Sequence, residues 1–292
     1  KKLTAGIKEL REDQKAGLQI QKKMLPKARK TVCQYLFEHS VKPSLYLSGD
    51  FLDFFKIDST RSIFYIADVS GHGASSAFVT VLLKNLCNRL LRNFKRGSTD
   101  EILFPDRMLH RINRELLETE FGKHLTMFVG IHDNSTNNLT YSVGAHFPMP
   151  VLVVDGKAEY LEGTGMPIGL FEDPTFNVYE RVLPKHYDLW LFTDGILEVI
   201  EAKTLAEKEK KLLQVVEYSN ANTINTSSTV KNAVKDLRAS EGNEGEGHEL
   251  SEVIEDKSSI DVLVETLKLD RIHELPDDIA VLTVSGVNNQ NG

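Results

Sequence analysis

Apolar positions change their spacing several times along the chain, and each change marks a different element. Near the start, Leu3, Ile7, Leu10, Leu18, Gln21 and Leu25 recur at helical intervals, and Pro26 closes the run. This predicts a helix over residues 1–25. Gln14 and Gln21 interrupt its apolar stripe. The face therefore fits two uses equally: packing on its own domain, or a short coiled-coil linker that joins two chains and carries a signal from an upstream domain. From about residue 44 the pattern shortens. SLYLSGDFLDFFKI and SIFYIADV flank the turn DSTR and predict a hairpin. From Ser75 to Phe94 apolar residues return every fourth position, at Phe78, Leu82, Leu86, Leu90 and Phe94. A second helix follows Pro105, with Met108, Leu109, Ile112 and Leu116 on its inner face.

After Gly122 the strand pattern resumes. LTMFVGIHD, NLTYSVGA, MPVLVVDGKAEYL and FNVYERVL are separated by the turn signals NSTNN, DG and EDPT, and YDLWLFTDG is a further apolar strand. Helical stretches are predicted near 203–219 and 226–239. Residues 241–258 are acidic and glycine-bearing, and read as a mobile loop. DDIAVLTVSG supplies a last strand, and residues 287–292 read as a frayed tail. Strands joined by short turns are mostly antiparallel. The predicted fold class is α+β: two packed antiparallel sheets flanked by helices, an αββα sandwich spanning residues 26–286. A doubly wound parallel sheet would need a helix after nearly every strand.

Composition narrows the function classes. The 292 residues are 41% apolar and 26% charged, as in an ordinary globular protein. The formal net charge of -7 argues against a nucleic-acid partner, which needs a basic face. Two cysteines, Cys33 and Cys87, read as free thiols of a reducing compartment, which makes cytoplasmic the default location. No run of about 18 apolar residues is present, so no membrane span is expected. The first residues lack an apolar signal core and an initiator Met, which is the expectation for a fragment of a longer protein.

The candidate chemistry lies in acids at the edges of apolar runs. Asp50 stands in LSGDFLDFF, Asp68 in YIADVSGHG, Asp194 in LWLFTDGILEV, and Asp277 and Asp278 in ELPDDIAVLTV. Singly, each fits a turn or a helix cap. Together they would repel unless protons or cations neutralised them. Hard ions such as Mg2+ and Mn2+ prefer oxygen ligands, and a close pair of them can activate a bridging water. In ADVSGHG, Asp68 would leave its strand as a ligand with the Val69 carbonyl beside it. Gly71 and Gly73 would keep the turn small.

These segments, in this order, resemble the PPM-type metal-dependent serine/threonine protein phosphatases, in their bacterial SpoIIE/RsbU-like branch. SGDFLDFF is similar to the family's first motif and ADVSGHGASSA to its signature. TMFVGIHDNSTNNLTYSVGAHFPMPVLV, GTGMPIGL, LFTDGILEV and DDIAVLTV are similar to its later motifs. The resemblance covers about residues 20–286 and implies the two-sheet fold. It also implies two Mn2+ or Mg2+ ions: Asp50 bridges them, Asp68 and the Val69 carbonyl hold one, and Asp194 and Asp277 hold the other. Asp278 would orient its neighbour.

The sequence departs from the family pattern in places. Ser48 replaces a glycine, Phe51, Leu52 and Phe55 make the first motif unusually apolar, and Ala280 stands where threonine or serine is common. No phosphate-gripping arginine is evident. His72 is read either as a general acid for the leaving oxygen or as a support of its loop. His124, His132 and His146 read as ordinary core or surface histidines, Glu198 as either a supporting or a surface acid, and Trp190 as core.

The resemblance implies a phosphatase that hydrolyses phosphoserine or phosphothreonine monoesters with metal-activated water and without a covalent intermediate. It implies a phosphorylated anti-sigma-factor antagonist as substrate, and an upstream receiver or sensor domain, as in the output domain of a two-component response regulator. Dimerisation through residues 1–25 is expected of the coiled-coil alternative. The other class left open is a phosphatase-fold adaptor that binds a regulatory partner with little or no turnover. No G-x-S-x-G elbow is present to support a serine hydrolase.

Overall fold

The computed structural model describes residues 2–240 and 257–286. Five strands, β3 (Asp50–Lys56), β4 (Arg61–Val69), β5 (Leu125–Asp133), β6 (Asn138–Gly144) and β9 (Val178–Val182), form one sheet in the order β3-β4-β5-β6-β9. The other sheet has six strands in the order β1-β2-β11-β10-β7-β8. They are β1 (Arg29–Val32), β2 (Tyr35–Lys42), β7 (Val151–Val154), β8 (Lys157–Tyr160), β10 (Asp188–Phe192) and β11 (Ile279–Gly286). Every neighbouring pair is antiparallel. Among the described residues no helix is long and apolar enough to cross a membrane.

Central strands such as β4 and β10 are apolar on both faces because both faces are covered. On β4, Phe64 and Ile66 join the core between the sheets. Ile63, Tyr65, Ala67 and Val69 point the other way, into a core roofed by α2 (Ala74–Lys95) and α3 (Pro105–Glu118). On β10, Leu189 and Leu191 face the partner sheet. Trp190 and Phe192 meet α4 (Gly195–Glu198), α5 (Leu205–Ser240) and α6 (Ser259–Thr266). This is the helix–sheet–sheet–helix sandwich that the pattern predicts.

Several elements differ from the sequence expectation. Strand structure begins at Arg29, before the predicted start near residue 44, and Ser44–Gly49 is irregular chain. The alternation in β1 and β2 is masked by polar residues such as Arg29, Lys30, Glu38 and Ser40. The two helices predicted near 203–219 and 226–239 are one, α5. Helix α6 was not anticipated, although Ser258 and Asp261 form a capping box at its start. The acidic stretch 241–256 and the tail 287–292 lie outside the described residues.

The N-terminal helix α1 (Lys2–Met24) rests on the sandwich through its last turns. Gln21, a polar break in the predicted stripe, is buried. Its Nε2 donates to the Ser48 carbonyl at 2.7 Å and to Thr80 Oγ1 at 3.3 Å, and its Oε1 accepts from Ser48 N–H at 3.1 Å. A buried amide with both ends satisfied acts as a specific latch between α1, α2 and the approach to β3. Gly17 packs on Leu47, with a Cβ there only 3.2 Å from that side chain.

Candidate metal centre

Register and alternation together build one side of the site. In the β3–β4 ladder Asp50 lies directly opposite Asp68. Asp50 shares the side of β3 that carries Leu52 and Phe54, and Asp68 shares the side of β4 that carries Phe64 and Ile66, so both acids lie on the face turned to the other sheet. Asp53 has the opposite parity. It is buried toward the helices and paired there with Lys84 of α2, outside this group of acids. The apolar first motif is therefore a consequence of burial on both faces.

The second sheet supplies the opposing wall. β10 ends and β11 begins at the same end of the sandwich, followed by Thr193 and Asp194 in one case and preceded by Asp277 and Asp278 in the other. Thr193 has the inward parity of Leu189 and Leu191. Its Oγ1 donates to Asp50 Oδ2 at 2.6 Å and accepts the Ala280 N–H at 2.8 Å. Asp50 N–H in turn donates to Ser48 Oγ at 3.0 Å. The side chain of Ala280 is wholly buried in the inter-sheet core, where a hydroxyl would meet apolar neighbours.

Asp278 is committed to the scaffold. Its Oδ1 accepts from Ser44 N–H at 2.6 Å and Ser44 Oγ at 2.8 Å, and its Oδ2 accepts from Gly49 N–H at 2.8 Å. It thereby ties the start of β11 to the chain entering β3. Its carbonyl lies only 2.0 Å from where a Cβ on residue 195 would sit, so the turn after Asp194 requires glycine. Asp277 is exposed, and its Oδ1 accepts the Asp278 N–H at 2.8 Å. Asp194 is also exposed and caps α4, with its carbonyl accepting from Leu197 N–H at 2.8 Å.

The electrostatics register the convergence. Burial, then the neighbouring Asp68, holds the Asp50 carboxyl well above the carboxylate range. Asp68 is pushed up to about 7, first by burial and then by Asp194, Asp277 and Asp278. Asp194, although exposed as a residue, has its carboxyl raised by the protein atoms crowding it at this end of the sandwich and then by Asp277. Each of these shifts reflects negative charge without enough compensation, which is what a cation relieves. Among the described residues no three such side chains stand close enough to close on a single ion as placed. The donor set nevertheless fits a hard divalent cation: carboxylate and carbonyl oxygens on rigid strand ends, with no sulfur among them.

The other residues singled out in the sequence are now located. His72 is exposed on the turn between β4 and α2, flanked by Gly71 and Gly73 at φ 77° and 82°. His124 meets this turn through its backbone alone, exchanging bonds with Ser70. His132 and His146 are buried, and burial lowers each to about 4. Glu198, exposed on α4, adds to the negative field at Asp194. Sequence reasoning missed Thr193, Ser44 and Lys123. Thr193 stood next to Asp194 in FTDG, whereas nothing in the local pattern marked the other two.

A family model described as stage II sporulation protein E (SpoIIE) matches residues 58–248. The chain is 30% identical over 157 residues to phosphoserine phosphatase RsbP of Bacillus subtilis, covering 52% of this chain and 37% of that protein. It is 26% identical over 203 residues to protein IcfG of Synechocystis sp., covering 62% of this chain and 32% of that protein. It thus spans about a third of the length of each of these relatives. Among solved structures, the SiaA-PP2C domain of Pseudomonas aeruginosa superposes with a TM-score of 0.66 at 17% identity, covering 96% of this chain and 98% of that one, which shows a shared fold.

Proposed function

The chain belongs to the SpoIIE family, and from that premise we propose that it is a metal-dependent serine/threonine phosphoprotein phosphatase. The observation that carries this reading is the meeting of acids from two sheets at one end of the sandwich, with Asp50 opposite Asp68 and Asp194 and Asp277 raising the proton affinity of Asp68. RsbP and RsbU of Bacillus subtilis are named phosphoserine phosphatases, and both are similar to this chain.

On this reading Asp50, Asp68, the Val69 carbonyl, Asp194 and Asp277 would hold two Mn2+ or Mg2+ ions. Such ions, when bound, acidify a water and neutralise phosphoryl oxygens. The protein's own part is placement. Thr193 fixes one Asp50 oxygen by hydrogen bond. Asp278 holds the β11 entry against Ser44 and Gly49, so Asp277 projects from a fixed base. In the overall hydrolysis a water oxygen–phosphorus bond forms and the phosphorus–serine oxygen bond breaks. The leaving oxygen takes a proton, and the products are the free hydroxyl and inorganic phosphate. His72, exposed at the turn, is the side chain we assign to donating that proton; its alternative role is support of the turn.

The finer reading places the protein in bacterial signalling. The substrate would be a phosphorylated anti-sigma-factor antagonist, and the location cytoplasmic. An upstream receiver or sensor domain, as in a response regulator, would act through α1, with weak dimerisation through residues 1–25. The decisive experiment is hydrolysis of an aryl phosphate with Mn2+. Activity abolished by a chelator and by Asp68→Ala supports the assignment. No turnover of either the aryl phosphate or a phosphorylated partner would leave the adaptor reading in its place.

A further inference from the structure

Building on the phosphatase reading above, we propose that Lys123 is a positioning residue for the turn that carries the Val69 carbonyl. Residues 70–73 join β4 to α2. The Ser70 carbonyl accepts from Lys123 Nζ at 2.8 Å and from Ser76 Oγ at 3.1 Å, and Nζ also reaches Ser76 Oγ at 3.3 Å. A Cβ on Gly71 would lie 3.0 Å from the same Nζ, so the ammonium packs on the turn itself. The adjoining backbone adds two bonds, Ser70 N–H to the His124 carbonyl at 2.9 Å and His124 N–H to Ser70 Oγ at 3.2 Å. The segment before β5 therefore grips Ser70 from one side, and the buried Ser76 of α2 grips it from the other.

This grip matters because the turn has little stiffness of its own. Two of its residues are glycines at positive φ, which the backbone alone does not confine. Ser70 directly follows Val69, so fixing the Ser70 carbonyl fixes the next peptide plane and limits the directions open to the Val69 carbonyl. Lys123 is half-buried, and a charge-assisted hydrogen bond there holds more strongly than a neutral one. Its hydrogen bonds go to Ser70 of the turn and to Ser76 of α2, not to the acids. Lys123 thus acts through the donor, and is distinct from a side chain that grips the phosphate.

The test is a Mn2+ titration of the whole chain followed by melting temperature, with wild type, Lys123→Met, Lys123→Arg and Asp68→Asn. Lys123→Met should raise the Mn2+ concentration at half-maximal shift about tenfold, the loss of one such bond. Lys123→Arg should recover part of it. With an aryl phosphate, excess Mn2+ should restore kcat in Lys123→Met with KM unchanged. An unaltered Mn2+ midpoint, or a raised KM with that midpoint unaltered, overturns the proposal. If Lys123→Met does not fold without metal, Lys123→Gln carries the same titration, with a smaller loss expected in the same direction. The wild type separates the two levels of argument. If Mn2+ does not raise its melting temperature, or Asp68→Asn responds equally, the metal-site reading itself fails. A wild-type response that Lys123→Met reproduces removes only the role of Lys123.

Discussion

The two sheets bring their acids to the same end of the molecule by different means. In the β3–β4 pair, Asp50 and Asp68 sit inside the ladder, opposite one another and facing the core, so strand register alone places them. In the β10–β11 pair, Asp194 and Asp277 lie just outside the ladder, exposed, and are placed by a helix cap and a turn. Burial raises the proton affinity of the first pair more strongly. The first pair is thus the rigid, electrostatically loaded wall, and the second the adjustable one. Thr193 and Asp278 are the bolts between them, reaching from the second sheet to Asp50 and to Gly49.

That contrast can be tested by breaking each wall in turn. The largest effect is expected at the rigid wall: Asp50→Asn should lower kcat for an aryl phosphate about a thousandfold, measured at saturating Mn2+. Loss of less than tenfold would remove Asp50 from the centre. Next comes the bolt. Asp278→Ala leaves Gly49 N–H and both Ser44 donors without their acceptor, and should cost about 3 kcal/mol of stability in urea unfolding.

The pH dependence of metal-free stability should be of similar size, with a sign set by the rigid wall. In the folded chain Asp68 is pushed up to about 7, against about 3.8 for an aspartate in the unfolded chain. The folded state then binds the extra proton between those values, so the contribution of Asp68 falls as pH rises from about 4 to 7, by a few kcal/mol. His146 and His132 oppose it: lowered to about 4 by burial, they weaken the fold as pH drops below about 6.5. Subtracting the urea stabilities of Asp68→Asn from those of wild type, with chelator present at pH 5 and 7.5, isolates the carboxylate. A difference that does not change with pH would contradict the loading of that wall. The smallest stability effect belongs to the adjustable wall. Asp194→Asn should stay within about 0.5 kcal/mol of wild type in metal-free unfolding while most activity is lost, because an exposed acid contributes little without a cation. A large metal-free destabilisation would mean that Asp194 serves the fold.

Much of this was legible in the chain. The four-residue stride of Phe78, Leu82, Leu86 and Leu90 marked α2, and the turn signals between apolar runs marked the β3–β4, β5–β6 and β7–β8 hairpins. The acids at the edges of apolar runs, Asp50, Asp68, Asp194 and Asp277, were legible as a set, and the fold turns them toward one end of the sandwich. Where polar residues obscured the period, as in β1 and β2, the elements were missed. The capping box of α6 was present as Ser258 and Asp261, yet the acidic stretch before it suggested continued loop.

What the sequence determined by itself was local: period, turn chemistry, and which acids stand at the mouths of strands. Tertiary structure decided the partners. Nothing near Asp278 in the chain points to Ser44 and Gly49, nothing near Thr193 points to Asp50, and nothing near Lys123 points to Ser70. The physical reason is range. A strand's alternation is set by neighbouring residues, but a hydrogen bond across two sheets exists only once the whole core has fixed the distance between them.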